Sequence, residues 1–359
     1  MSMYTSTEEF KNIYSTLFET FKTGKTKDLR WRKWQLKQLW WMLEDNEKRI
    51  LAALEKDLGR HTFESYFADI TGYKSDVLEH IKHLEEWAAD EPISGAGFIF
   101  GTLGKAKIQK EPLGVSLIIG AWNFPFLLLI QPVVAAIAAG CCVLMKPSEL
   151  SMASQELLVQ LIPKYLDTSA INIGPQEMGL ILEHEFNHIF FTGPSNVARY
   201  ITAAAAKHLT PTVLELGGQG PAIVTKTTNV DLAAKRITYA KFFNAGQICL
   251  SVNHVFADPA IYDELIQKLQ FWNKKFSGES GEMSKIVNER NFDRLTGLLK
   301  RTTGDIKVGG QSDKEKLRLA PTILVNVTLN DSLIEEELFG PICPVISDLN
   351  LVCFRSTPS

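Results

Sequence analysis

Cys249 sits in Asn-Ala-Gly-Gln-Ile-Cys, residues 244–249, a polar and glycine-bearing setting that does not read as core. A thiol placed there is a candidate nucleophile, and Gly246, three residues earlier, lets backbone approach a reacting carbon closely. Cys141 and Cys142 lie on an apolar strand and read as buried small hydrophobes. Glu215-Leu-Gly-Gly218 puts a carboxylate at the end of an apolar strand and two glycines after it. A desolvated glutamate there has a raised pKa and suits a general base; the plainer reading is a solvated strand-end carboxylate. In Trp122-Asn-Phe-Pro125, Asn123 is a costly choice beside so much apolar sequence unless its amide has a partner. That amide suits an oxyanion, and the plainer reading is a turn residue before proline. Lys146-Pro-Ser-Glu149 follows the next strand, with a Lys and a Glu suited to ribose hydroxyls, or with Ser148 simply capping a helix. Phe191-Thr-Gly-Pro194 leads into a helix whose first position suits Pro194 and whose N-terminus attracts phosphate at Gly193. The G-x-G-x-x-G fingerprint of dinucleotide sites is absent.

The elements that must position these residues change character along the chain. The first ninety residues read as helical. Leu36, Leu39, Trp40, Leu43, Ile50, Leu51 and Leu54 recur at helical steps between Asp28, a plausible N-cap, and Gly59, a plausible stop. Trp31, Trp34, Trp40 and Trp41 read as packing residues on that helix. Gly95–Gly104, with Phe98, Ile99 and Phe100, reads as an extended arm or one side of a hairpin. After Pro112, strand candidates Val115–Gly120, Cys142–Lys146, His188–Thr192, Thr212–Leu216 and Ala222–Val224 alternate with helices Pro132–Ala139, Gln155–Tyr165 and Val197–Lys207. Such alternation indicates βαβ units in a doubly wound α/β sheet, which binds ligands at the carboxyl ends of its strands. Asp231–Phe276 reads as helix-rich around Cys249, Lys307–Gly310 and Ala320–Val325 as strands, and Ile346–Ser359 shows no pattern.

Bulk composition narrows the function. The chain has 359 residues, 45% apolar and 22% charged, which is globular and too long for one ordinary domain. A net charge of −3 without a long basic run argues against nucleic acid. Five cysteines with no C-x-x-C pair argue against a disulfide framework or a zinc site, so no metal is expected and a reducing, cytoplasmic compartment is. Met1–Phe10 has no apolar core of a signal peptide. Leu113–Met145 is apolar but interrupted by Asn123, Pro125 and Gln131-Pro132, leaving neither part the roughly 18 residues of a membrane span.

Taken in order, WNFP (122–125), KPSE (146–149), FTG (191–193), ELGG (215–218), GQIC (246–249) and EELFGP (336–341) resemble the aldehyde dehydrogenase superfamily. The short N-terminus and the IQPVVAAIAAG stretch look most like its fatty- and aromatic-aldehyde branch, called class three. The resemblance implies two doubly wound α/β domains. Residues 1–214 would bind NAD, or NADP, with an oligomerisation arm at 95–111. Residues 215–345 would form an incomplete catalytic domain, followed by an unpatterned tail at 346–359. It implies that Cys249 attacks an aliphatic or aromatic aldehyde and that Asn123 and the Cys249 N–H hold the oxyanion. Glu215 would activate the water that hydrolyses the thioester. Lys146 and Glu149 would hold the adenosine ribose, Trp122 would lie near the pyrophosphate, and Glu337 and Phe339 would position the nicotinamide ribose and ring. A homodimer is implied for the full-length family. The chain departs from the family at Pro194, at Ala198 in place of a second glycine, at Gln219 after ELGG, around Gly174 and after Cys249; its end reads as a C-terminal truncation that would remove any membrane anchor. Two alternatives stay open: a fragment that acts by binding, and a cofactor-independent thiol esterase.

Overall fold

The structure is a computed structural model that describes residues 6–93, 95, 97–175, 177–277 and 283–347. The part of the expected tail after Ser347 lies outside the described residues. The chain divides into two compact units, Met1–Leu54 with Ser65–Leu216, and Glu55–Glu64 with Gly217–Ser359. Both carry a five-stranded sheet.

The helices of the N-terminal region are α1 (Thr7–Lys22), α2 (Leu29–Leu58), α3 (Thr62–Ser65) and α4 (Gly72–Ala88), with a π-helical stretch at Tyr66–Thr71. The α2 boundaries follow the sequence signals. The Arg30 N–H donates to Asp28 Oδ1 at 2.8 Å, and Gly59 takes φ +57° just past the end. Leu36, Leu39, Leu43, Ile50 and Leu54 are fully buried. The tryptophans divide. Trp31 and Trp40 pack against the core, and Trp41, though half exposed, packs edge-on against the Trp40 ring at 4.9 Å, whereas Trp34 is exposed and does not fit the packing role expected of it.

A short hairpin, β1 (Glu91–Pro92) and β2 (Lys107–Ile108), encloses a π-helical turn at Gly97–Leu103. The expected extended run is therefore helical at its tip. Phe98, Ile99, Phe100 and Leu103 are exposed there.

The first unit's sheet is built from β3 (Val115–Ile119), β4 (Cys142–Lys146), β5 (Ile171–Ile173), β6 (His188–Thr192) and β7 (Thr212–Glu215) in the order β5-β4-β3-β6-β7. All pairings are parallel. The chain moves outward from β3 to β5, then returns to lay β6 on the other side of β3. That reversal makes the carboxyl ends of β3 and β6 a topological switch point, where open α/β sheets take ligands. The connecting helices are α5 (Leu127–Ala139), α6 (Met152–Tyr165), α7 (Met178–Leu182) and α8 (Ser195–Ala206).

Helix α5 starts five residues earlier than expected and runs through Pro132, which forfeits one backbone hydrogen bond. Apolar burial on both sides of Pro132 and a charge at each end of the helix outweigh that loss. The N–H groups of Phe126 and Leu127 donate to the fully buried Asp69 carboxylate at 3.1 and 3.0 Å. At the other end, buried Arg32 donates to the Ala138 carbonyl at 3.1 Å and the Thr26 carbonyl at 2.9 Å. Each charge has the sign that its helix end favours. Gly140 ends the helix at φ +85°, and a side chain there would lie 2.5 Å from Arg32 Nη2.

The second unit's sheet has the order β10-β13-β14-β9-β8. Its strands are β8 (Pro221–Val224), β9 (His254–Ala257), β10 (Asp305–Val308), β13 (Thr322–Val325) and β14 (Ile342–Ile346), and only the β10–β13 pair is antiparallel. A small hairpin, β11 (Ser312–Asp313) with β12 (Arg318–Leu319), lies between β10 and β13. The helices are α9 (Val230–Phe242), α10 (Tyr262–Ser277) and α11 (Glu289–Arg301). The region expected to be helix-rich around Cys249 therefore also contains β9. Strand β14 is a central strand that contains a proline. Pro344 is the last residue paired with β13, and pairing with β9 begins at Val345, so the missing N–H falls where one ladder hands over to the other. No helix among the described residues is long and apolar enough to cross a membrane.

Asp69 supplies the first-turn acceptor for α5, so Asp69→Ala is expected to destabilise the chain by about 1–3 kcal/mol. Urea unfolding followed by circular dichroism measures this, and a loss below about 0.5 kcal/mol contradicts the capping role.

Candidate active site

In the first unit, the residues singled out from sequence lie along one edge of the sheet. Trp122 and Asn123 follow β3, Lys146 and Glu149 end and follow β4, Gly193 follows β6, and Glu215 ends β7. Backbone bonds tie these ends together: Gly120 N–H to the Lys146 carbonyl and Gly193 N–H to the Glu215 carbonyl, each at 3.0 Å. Asn123 is buried, in the turn that Asp69 anchors. Lys146 is nearly buried, and its Nζ meets Glu149 Oε2 at 2.6 Å. Burial raises the Glu149 carboxyl, but the Lys146 hydrogen bond and charge outweigh it and hold the group below its ordinary value. Ser148 Oγ accepts from the Leu150 N–H at 3.3 Å inside a turn, and Ser151 takes the N-cap position of α6. Ser148 is therefore not the helix cap that the plainer reading allowed.

Pro194 is the N-cap of α8, one residue before the expected position. Ala198 is buried in the core of the unit, so its methyl group serves packing against the sheet. Glu215 is exposed, so of the two readings the desolvated carboxylate is corrected and the solvated strand-end carboxylate is the one observed. Its strand, β7, is the sheet's edge, and burial in the sequence there alternates rather than enclosing every residue.

In the second unit, the candidate residues lie at the opposite kind of edge. Gly217 and Gly218 lead into β8, Cys249 into β9, and Glu337 and Phe339 into β14. Since these three strands are parallel neighbours, the three loops converge at the amino ends of the strands.

The Cys249 loop has an unusual backbone. After α9, Asn244, Ala245 and Gly246 take φ of +50°, +53° and +69° in succession. Left-handed backbone is costly for residues bearing a Cβ, and hydrogen bonds hold it here. Gln247, fully buried, donates from Nε2 to the carbonyls of Asn244 (3.1 Å) and Lys285 (3.0 Å) and accepts from the Val287 N–H (3.0 Å). The Asn244 N–H reaches Glu64 Oε2 at 3.4 Å, and Asn244 Nδ2 donates to the Gln247 carbonyl at 3.3 Å. Gly246 has two reasons to be glycine. Its φ is positive, and a Cβ would lie 2.3 Å from the Gly340 carbonyl oxygen. The close approach expected of this glycine is therefore made to protein backbone. Cys249 follows in a turn closed by the Ser251 N–H donating to the Ile248 carbonyl at 3.0 Å.

Burial separates the thiols. Cys249 is partly exposed, and Cys141, Cys142 and Cys343 are buried. Burial pushes the Cys142 thiol up to about 12 and the Cys343 thiol up to about 11, which leaves both protonated and unreactive near neutral pH. Cys353 lies outside the described residues.

Glu337 rests against the ELGG turn. A methyl group at Gly217 would lie 2.2 Å from Glu337 Oε2, and the Gly218 N–H donates to the Glu337 carboxylate. Burial raises the Glu337 carboxyl above its ordinary value, partly offset by Gly218, Arg294 and Lys241. Lys241, on α9, is fully buried near Cys343 and Glu337, and burial lowers its ammonium to about 8. The sequence does not mark Gln247 as an anchor, buried Lys241, or Asn253 and Arg294, which hold the backbone of Glu337 and Leu338. The only local signal was the polar character of Gln247 and Lys241 beside buried apolar positions.

The geometry at Gly246 predicts that Gly246→Ala destabilises the chain by about 2 kcal/mol or more. Gly218, which has open space at its Cβ position, is the control, and Gly218→Ala is expected to stay within about 1 kcal/mol. Equal urea midpoints for the two variants contradict this account of the loop.

The sequence profile of the aldehyde dehydrogenase family matches residues 3–349. Aldehyde dehydrogenase family 3 member B3 of Mus musculus is 40% identical over 348 residues, covering 95% of this chain and 72% of that protein. The protein of Rattus norvegicus named aldehyde dehydrogenase, dimeric NADP-preferring, is 40% identical over 345 residues, covering 94% of this chain and 74% of that protein. A solved structure of the substrate-bound state of Staphylococcus aureus AldH matches with a TM-score of 0.89 at 33% identity, covering 94% of this chain and 75% of that one. With its six ordered motifs set on two α/β units, the chain belongs to the aldehyde dehydrogenase family.

Proposed function

We propose that the chain oxidises an aldehyde to the carboxylic acid with NAD(P)+, with Cys249 as the nucleophile. The observation that carries this reading is the contrast among the thiols: Cys249 is accessible in a preorganised turn, whereas Cys141, Cys142 and Cys343 are buried. Medium- or long-chain aliphatic and aromatic aldehydes are the proposed substrates, by resemblance to the class-three branch.

The donor set of the first unit fits a dinucleotide. The paired Lys146 ammonium and Glu149 carboxylate offer a donor and an acceptor for the adenosine ribose hydroxyls. The start of α8 after Gly193 offers oriented N–H groups for phosphate, and Trp122 is proposed beside the pyrophosphate. In the second unit, the Glu337 carboxylate is proposed to accept from the nicotinamide ribose, with Phe339 against the ring. When bound, NAD(P)+ supplies the hydride acceptor for the oxidation.

The proposed steps use the chain's own residues. The Cys249 thiolate forms a C–S bond to the carbonyl carbon, and the carbonyl pair moves onto oxygen. Asn123 Nδ2 and the Cys249 N–H donate to that oxyanion, a role in which one donor contributes about 10²–10³ in kcat. Once the carbon has been oxidised to a thioester, Glu215 takes a proton from water as the water attacks. The C–S bond breaks, the acid leaves and the thiolate is restored. Glu215 is open to solvent, which suits a base that must meet water.

The exposed Phe98, Ile99, Phe100 and Leu103 support the reading of 95–111 as an association arm in a homodimer. Cysteine usage supports a reducing, cytoplasmic setting.

Absorbance at 340 nm with an aldehyde panel and either cofactor tests the reading. Cys249→Ala is expected to abolish NAD(P)H formation, and Asn123→Ala to lower kcat by about 10²–10³. Full turnover in Cys249→Ala contradicts the assigned nucleophile. Aryl-ester hydrolysis with no aldehyde-dependent NAD(P)H replaces the dehydrogenase reading with a thiol esterase.

A further inference from the structure

The segment from Ile334 to Gly340 carries Glu337 and Phe339, and past Ile334 it has no regular secondary structure to fix it. Three side chains from outside the segment hold its backbone. Arg294, on α11, donates from Nη2 to the Leu338 carbonyl at 2.6 Å and from Nη1 to the Glu337 carbonyl at 3.3 Å and to Glu336 Oε1 at 2.9 Å. Asn253, buried at the start of β9, accepts the Leu338 N–H at Oδ1, 2.7 Å away. Asn253 is anchored in turn, its N–H donating to the Gly220 carbonyl at 2.8 Å. With its amide turned so that Nε2 faces the Ile334 carbonyl (3.2 Å) and Oε1 faces the Glu336 N–H (3.3 Å), Gln219 ties the same segment to the ELGG turn.

The peptide between Glu337 and Leu338 is therefore held from two directions, by Arg294 at its carbonyl and Asn253 at its N–H, and the next peptide is held by Arg294 at the Leu338 carbonyl. A peptide plane is rigid, so fixing it sets where the flanking Cα–Cβ bonds point. The flanking residues are Glu337 and Phe339, and Phe339 takes φ +45°, a conformation that an unsupported phenylalanine rarely adopts. A planar guanidinium can fork two successive carbonyls, and an ammonium cannot span them in the same way.

We infer that Arg294 and Asn253 are positioning residues for the cofactor. They hold the backbone of Glu337 and Leu338 so that Glu337 and Phe339 meet the nicotinamide half of NAD(P). This rests on the proposed role of Glu337 and Phe339. It predicts a cofactor-specific defect, because neither residue is assigned to the aldehyde or to the thiol.

NADH affinity by fluorescence titration, KM for cofactor and aldehyde, and the rate of Cys249 alkylation by iodoacetamide without cofactor are measured for five chains: wild type, Arg294→Gln, Asn253→Ala, Asn253→Asp and Glu337→Gln. Arg294→Gln and Asn253→Ala are expected to weaken cofactor binding by about tenfold. Aldehyde KM and alkylation rate should stay within about twofold of wild type, as an intact fold requires. Asn253→Asp keeps the acceptor for the Leu338 N–H and should recover most of the affinity. Wild-type NADH affinity in Arg294→Gln and Asn253→Ala, beside weakened binding in Glu337→Gln, overturns the positioning role and leaves the cofactor reading standing. Unchanged affinity in Glu337→Gln overturns the cofactor role of the segment and this inference with it. If Arg294→Gln does not fold, the Asn253→Ala and Asn253→Asp pair decides, and equal affinities in that pair overturn the inference.

Discussion

Asn244, Ala245 and Gly246 run left-handed one after another immediately before the candidate nucleophile, and much of the second unit is arranged to sustain that turn. Ala245 bears a Cβ with no polar group, so the conformation costs it on the order of 1–2 kcal/mol, and Asn244, which tolerates left-handed backbone better, less. The three bonds of the Gln247 amide and the bonds of Asn244 offset it. The turn ends α9 sharply and delivers Cys249 into the loop before β9. It also brings Gly246 against the Gly340 carbonyl, so the cysteine loop and the 334–340 segment fix each other by close packing.

The two units present their candidate residues at different ends of parallel sheets. In the first, the strand order reverses on either side of β3, a place where open sheets take ligands at the carboxyl ends, and Lys146, Glu149 and Gly193 come at the ends of the strands there. In the second, the loops into β8, β9 and β14 gather at the amino ends. Strand-end rules alone do not foresee the second arrangement. It depends on interactions remote in sequence: Gln247 with Lys285 and Val287, Asn253 with Leu338, and Arg294 with Glu337 and Leu338.

What was legible in the sequence was what short-range pattern encodes. Strands β4 and β6 came out with their observed boundaries because each is a buried apolar run between turn residues. Strand β14 has no counterpart in the sequence pattern, which puts its last residue, Ile346, in the unpatterned tail; a proline argues against a central strand, and the place of Pro344 between two ladders is visible only in the structure. Helix α5 was placed too late because its early turns rest on Asp69, more than fifty residues away. The sequence leaves Glu215 either desolvated or a solvated strand-end carboxylate, and the structure has the second, because an edge strand does not enclose its end. For Gly246 the sequence suggests close approach to a reacting carbon, whereas its positive φ and the neighbouring Gly340 carbonyl are what the structure gives as reasons for a glycine. Arg294 on its amphipathic helix looks like any exposed arginine, and nothing local marks it.

The central claim is that Cys249 carries the acyl group and Glu215 releases it. The direct measurement is peptide mass spectrometry of the Glu215→Gln chain after incubation with an aldehyde, with and without NAD(P)+. The account predicts the acyl mass on the peptide containing Cys249, only when cofactor is present and at far higher occupancy than in wild type. An acyl group on another residue, or none at all in a chain that reduces NAD(P)+, would contradict it.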